Sequence, residues 1–233
     1  MKRIFSLLFG ILLLQSAFLN GQTNTDSIAK TSNTTATDEF RSVLQENYAD
    51  FDSAKSVMDM QTASNRFGLI AKKWANEWIA QYYAAYALVI LSYIEKDEKK
   101  RDAYLDEADK LYDKASVLIK SENDEIYVLG ALIANARLAV SPMNRYQKYG
   151  AFFNQNLEKA KAVQPNNPRI YYMQGMSFYY TPKAFGGGAK NAIALFEKAD
   201  ALFQNEKSND IQKPFWGKKQ NSDLLKKCQD ELK

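Results

Sequence analysis

The sequence predicts an all-α protein, a solenoid of about four helix pairs closed by a C-terminal capping helix. Three observations predict it. Apolar side chains recur at three- and four-residue intervals from Asp38 onward, proline, glycine and capping residues fall between the periodic stretches, and one small–large–small triplet keeps returning. The triplet is clearest in Asn191–Phe203, where Ala192, Phe196 and Ala199 sit at i, i+4 and i+7 and share one helix face. Ala108, Tyr112 and Ala115 repeat it closely; Phe153, Leu157, Ala160 and Ala63, Phe67, Ile70 repeat it in degraded form. The last members step from Ile70 to Ala115, to Ala160 and to Ala199, intervals of 45, 45 and 39 residues. A recurring period in that range marks stacked helical hairpins, each burying its apolar face on the next.

Taken in order, the chain opens with Met1-Lys2-Arg3 and an apolar run from Ile4 to Leu14, the pattern of a secretory signal peptide. Residues 1–21 are assigned to it, with Gly21 as the last residue before cleavage. Gln22 stands where a lipoprotein signal would place its cysteine, which argues against a lipid anchor. Residues 22–37 are rich in Ser, Thr and Asn and are expected to be a flexible leader. Asp26-Ser27-Ile28 and Asp52-Ser53-Ala54 resemble the O-glycosylation sequon of Bacteroidetes. Phe40, Val43, Leu44, Tyr48, Phe51 and Val57 mark a first helix, and Ala63 to Trp74 a second.

Asn76 is the expected cap of the third helix, which carries Trp78, Ile79, Tyr82, Tyr83, Tyr86, Ile90 and Tyr93. The fourth spans Asp97 to Ile119, with one apolar face and one of alternating charge. The fifth starts near Glu122 and ends at Ser141-Pro142, because proline lacks the amide an ongoing helix needs. Tyr149 to Val163 is expected as the sixth. Asn167 can cap the seventh with Pro168 in its first turn. Residues 38–204 therefore hold the repeats. Residues 205–213 read as a polar linker, followed by Trp216 as an anchor and by a capping helix with Leu224, Leu225, Cys228 and Leu232 on one face.

The triplet resembles the second helix of a tetratricopeptide repeat, where a small residue, an aromatic and an alanine hold those offsets. Tyr171-x3-Gly175-x2-Phe178 resembles the first helix of the same repeat, and Ile126-x3-Gly130-x2-Ile133 repeats it without the aromatics. The resemblance covers roughly Phe40 to Gln204 and departs in period, since such repeats are about 34 residues long. It implies a protein or peptide partner bound along the concave face lined by the first helices, and admits a homo-oligomer.

Composition excludes more than it selects. The chain has no histidine, so serine–histidine and cysteine–histidine catalysis are impossible and the commonest metal ligand is missing. Its single cysteine, Cys228, lies on an apolar stripe and reads as an inert core thiol. The sequence thus points to no enzyme, no metal and no cofactor. Loss of residues 1–21 removes Lys2 and Arg3 and lowers the formal net charge from +4 to +2, too little to argue for nucleic acid. Beyond the signal no stretch approaches the roughly 20 apolar residues of a membrane span, so the mature chain is expected to be periplasmic or secreted without membrane insertion.

Two features are candidate binding elements. Tyr83, Tyr172 and Tyr179 lie off the best core offsets of the first helices and are candidates for a groove, where tyrosine offers contact area at low entropic cost. The segment from Thr181 to Lys190 separates the last two helices, and its Phe185, Gly186, Gly187, Gly188 and Lys190 could form a loop ahead of a helix N-terminus. The alternative is a plain turn that lets Phe185 tuck under the last helix. This Pro-x-x-Phe-Gly-Gly turn also resembles the periplasmic T-component of TRAP transporters, a trimeric repeat protein, which implies a small-ligand carrier. Two readings therefore stand: an exported docking scaffold, or a periplasmic carrier using the glycine turn and nearby aromatics.

Overall fold

The computed structural model of the protein describes residues 25–206 and 210–233. Residues 1–21, expected to be a signal peptide, lie outside them. Two compact units divide the chain, Met1–Glu39 and Phe40–Lys233, and the second carries the repeats. The helices are α1 (Thr25–Asp52), α2 (Val57–Lys73), α3 (Trp78–Ile94), α4 (Glu98–Ile119), α5 (Asp124–Val140), α6 (Pro142–Val163), α7 (Pro168–Tyr180), α8 (Ala189–Gln204) and α9 (Lys218–Glu231), with a 3-10 turn at Lys183–Phe185. No strand occurs among the described residues. The all-α solenoid stands.

Side-chain caps set four helix starts. Ser56 and Asp59 form a capping box at α2, while the Asp97, Asn123 and Asn167 side chains each accept a backbone amide at α4, α5 and α7. Four expectations shift. Helix α1 begins at Thr25, so residues 25–37 are helical rather than an irregular leader; no glycine or proline interrupts the run from Thr23 to Lys55. Val57 opens α2 instead of closing α1, because the Ser56 box starts a new helix there. Glu77, not Asn76, is the residue before α3, and it makes no side-chain cap. Helix α6 starts at Pro142 rather than Tyr149: proline at the first helical position loses only an amide that would have been unpaired anyway.

The hairpins α3–α4, α5–α6 and α7–α8 pack internally, and successive hairpins meet through α2 on α3, α4 on α5 and α5 on α7. The first pair closes through Phe51 on Phe67, ring centroids 5.8 Å apart, and Asn47 Nδ2 donating to Ala63 O at 3.0 Å. Every small residue of the repeated triplet is buried: Ala63, Ala108, Ala115, Ala160, Ala192 and Ala199. Gly175 shows why that size is needed, since a Cβ there would lie 2.7 Å from the Phe196 ring. Helix α9 covers α8 as a cap, and Cys228 is buried beneath it. Between α4 and α5, Arg137 is held by Asp102, Asp106 and Asp109 at 3.3, 2.6 and 2.7 Å.

Candidate functional site

Two surfaces follow from this architecture: the face lined by the first helices of the pairs, and one end of the stack. The first is already occupied. Residues Ile211–Trp216, between α8 and α9, lie across α1, α3 and α7 as a strap. Phe215 packs on Tyr48 at 4.6 Å, Trp216 stacks on Tyr86 at 5.1 Å and meets Tyr172 edge-on at 6.3 Å. Trp216 Nε1 donates to Tyr82 Oη at 2.8 Å, and Tyr83 Oη donates to Lys213 O at 3.4 Å. Tyr83 is fully buried and Tyr172 nearly so, with desolvation raising both phenols far above their usual range. Both were expected to line an open groove. They are instead the floor under the strap, because a C-terminal segment, 130 residues from Tyr83 at Lys213, returns to fill that face. Trp216 likewise anchors the strap across α3 and α7, beyond the last pair expected for it.

Beneath the strap sits Arg169, at 1% exposure the largest fully buried side chain. Its guanidinium donates to Glu206 at 2.7 Å, to Glu125 at 3.1 Å and to Pro214 O at 2.7 Å, and it packs against the Trp216 and Phe203 rings. Sequence reading missed Arg169, Glu125 and Glu206. The one available signal was an arginine on the otherwise apolar stretch Pro168–Met173.

The second surface is one end of the stack. Because successive helices are antiparallel with short turns, the starts of α2, α4, α6 and α8 share an end with the finishes of α1, α3, α5 and α7. The C-terminus of α9 joins them, since Tyr179 Oη donates to Glu231. Nine of the thirteen exposed large apolar side chains among the described residues lie at this end: Val57, Met58, Ile94, Met143, Tyr146, Phe178, Tyr180, Phe185 and Leu232. The opposite end exposes Glu77, Lys120, Glu122 and Asn166 at its turns, and fewer large apolar side chains, namely Leu69, Val117 and Val163. This concentration of exposed apolar side chains makes the former end the candidate binding surface. Its richest part is built by α6, α7 and the 3-10 turn, where Phe178, Tyr180 and Phe185 are 45%, 67% and 80% exposed.

Phe185 does not tuck under α8 as the turn reading expected; the left-handed Gly186 turns the chain away and leaves the ring in water. Phe178, the last position of the first-helix pattern, is half in solvent for lack of a following first helix to cover it. Tyr179 is half-buried on Phe196, and the Glu231 carboxylate pushes its phenol up to about 12. Lys183, in the 3-10 turn, and Lys190, at the start of α8, are exposed and make no ion pair among the described residues, and Lys148 rides over Tyr149. Arg145 is unavailable, held by both Asp102 carboxylate oxygens at 2.7 Å.

The glycines prove structural. Gly186, Gly187 and Gly188 donate their amides to Lys183 O, Pro182 O and Phe178 O, so none is left to cradle an anion. A Cβ on Gly187 would fall 1.9 Å from Thr181 O, a backbone atom that cannot move aside. Gly187→Ala is therefore expected to destabilise the fold by about 1–3 kcal/mol through overpacking, read as a lower melting temperature, whether or not any ligand is present.

Comparison with known protein families finds no matching family pattern, and comparison with curated protein sequences finds no match. Among solved structures the chain is similar to the HusA haemophore from Porphyromonas gingivalis, at 32% identity and a TM-score of 0.71. The match covers 83% of this chain and 94% of that one. The chain belongs to the HusA family. Its likeness to tetratricopeptide proteins is accordingly one of helical architecture, without a matching repeat pattern. Among the described residues no helix is long and apolar enough to cross a membrane, and no group of three or more Cys, Asp or Glu side chains could hold a metal ion.

Proposed function

We propose that this chain is an exported, non-catalytic carrier whose cargo is a planar amphiphile of the haem class, taken up at the aromatic end of α6 and α7. The observation that carries the reading is the 32% identity to a haemophore over 94% of that protein's length. The exposed rings of Phe178, Tyr180 and Phe185 supply the matching chemistry. A porphyrin has two apolar faces and an edge bearing carboxylates. Aromatic side chains offer area for the faces, while Lys183, Lys190 and Lys148 offer cations for the edge. With no histidine in the chain and Cys228 buried, ring contact rather than the usual imidazole would dominate the affinity. The docking-scaffold reading has less support, because the strap covers the face that a partner was expected to use.

The test is a titration of the chain lacking residues 1–21 with haemin and with metal-free protoporphyrin, followed by absorbance. Combined replacement of Phe178, Tyr180 and Phe185 by alanine is expected to weaken both ligands by at least about tenfold, the loss of one to two stacking contacts. Melting temperature should hardly change, since all three rings are substantially exposed. Unaltered affinity for both ligands would place the cargo elsewhere on the molecule.

A further inference from the structure

The buried charges under the strap do not balance. Arg169 brings one positive charge; Glu125 and Glu206 bring two negative ones, with Asp124 close by. Glu125 has a side chain only 13% exposed. Its Oε1 accepts from Asn167 Nδ2 at 2.7 Å and from Arg169 Nη1 at 3.1 Å, and Oε2 faces the Tyr82 hydroxyl at 3.4 Å. The groups facing it are thus Asp124 on α5, Tyr82 on α3, Asn167 and Arg169 on α7, and Glu206 at the end of α8. Glu206 is more exposed, at 28%, and takes two contacts from the same guanidinium at 2.7 and 3.3 Å. Arg169 Nη2 then reaches Pro214 O in the strap, and Tyr82 receives the Trp216 indole N–H. One guanidinium therefore serves two competing carboxylates and the strap at once, and its Nε has no partner of its own.

We propose that Glu125, Arg169 and Glu206 form a proton-operated clasp, fastening the Ile211–Trp216 strap over the tyrosine-lined face when Glu125 is protonated and loosening it when Glu125 is ionised. A proton on Glu125 cancels the surplus negative charge and leaves the guanidinium to Glu206, just past α8, and to Pro214 in the strap. Ionised Glu125 draws the guanidinium toward itself and away from Pro214 O, which slackens the strap. Desolvation, the largest influence on Glu125, raises its carboxyl from the ordinary 4.5 to about 7 despite the opposing pull of Arg169. A carboxyl raised on folding gives stability that is complete below the ordinary value and is lost as pH rises through the folded one. The clasp therefore closes on the acid side of neutrality.

The experiment is fluorine NMR of the full chain carrying 5-fluorotryptophan, with the Trp216 signal assigned by Trp216→Phe. The Trp216 resonance is expected to shift with pH about a midpoint near 7, and Glu125→Gln, which keeps the shape without the charge, should flatten that titration. A wild-type Trp216 signal that ignores pH between about 5.5 and 8.5, or an unchanged titration in a folded Glu125→Gln, overturns the clasp. Should Glu125→Gln fail to fold, carbon NMR of the wild-type glutamate carboxyls decides instead. Glu125 titrating in step with Trp216 supports the clasp, and titration out of step overturns it.

Discussion

Above neutral pH, where Glu125 is ionised, Arg169→Met is expected to cost the protein about 3–5 kcal/mol, the usual loss when one member of a buried ion pair is removed and its partner stays behind. The magnitude follows from what remains. Glu125 would keep only Asn167 and Tyr82 as donors, Glu206 would lose its guanidinium, and Pro214 O would lose a 2.7 Å hydrogen bond under the strap. Methionine restores most of the packing against Trp216 and Phe203, so the loss reports charge and hydrogen bonding more than a void. Urea denaturation checks it: the midpoint should fall while the slope with denaturant stays constant. A change under about 1 kcal/mol would mean that the carboxylates relax into water at no cost, against the general penalty for stranded buried charge.

Trp216→Ala is expected to be nearly as damaging, about 3–5 kcal/mol for a large buried ring cut to a methyl group. Trp216 is only 4% exposed; it stacks on Tyr86 and donates to Tyr82. Its loss would open the floor built by Tyr82, Tyr83, Tyr86 and Tyr172, and a dye that brightens on apolar surface should bind the variant more strongly. Because Trp216 and Arg169 touch, their effects should not add. The double variant is expected to lose clearly less than the sum of the singles, which denaturation of the three proteins measures directly. Full additivity would show that strap and buried cluster are independent, contrary to their shared contacts.

Neither of these variants acts on the exposed aromatic end, where Phe178, Tyr180 and Phe185 are proposed to meet the cargo. That separation keeps the carrier reading and the clasp apart: stripping the rings should cost affinity without stability, and breaking the cluster should cost stability first.

The residues themselves show how far the sequence reached. Ala192, Phe196 and Ala199, with their counterparts upstream, announced stacked helices because an i, i+4, i+7 spacing places side chains on one face whatever lies elsewhere in the chain. Asn167 with Pro168 was equally legible, since a cap is satisfied by amides two or three residues away. The aromatic end was visible only in part. Phe185 stood out beside its glycines, but Met143 and Tyr146 gave no signal until α6 was seen to start at Pro142.

The sequence by itself determined the helices, their stacking order, the lack of imidazole chemistry and the burial of Cys228, all set by composition or by neighbours within a few positions. Tertiary structure decided that Tyr83 and Tyr172 are floor rather than groove, that Arg169 is buried, and that exposed rings gather at one end. Those outcomes depend on contacts spanning 44 residues from Glu125 to Arg169 and 134 from Tyr82 to Trp216. Partners that far apart meet only when the solenoid has folded and its C-terminal segment has returned across it, and no local period encodes that return.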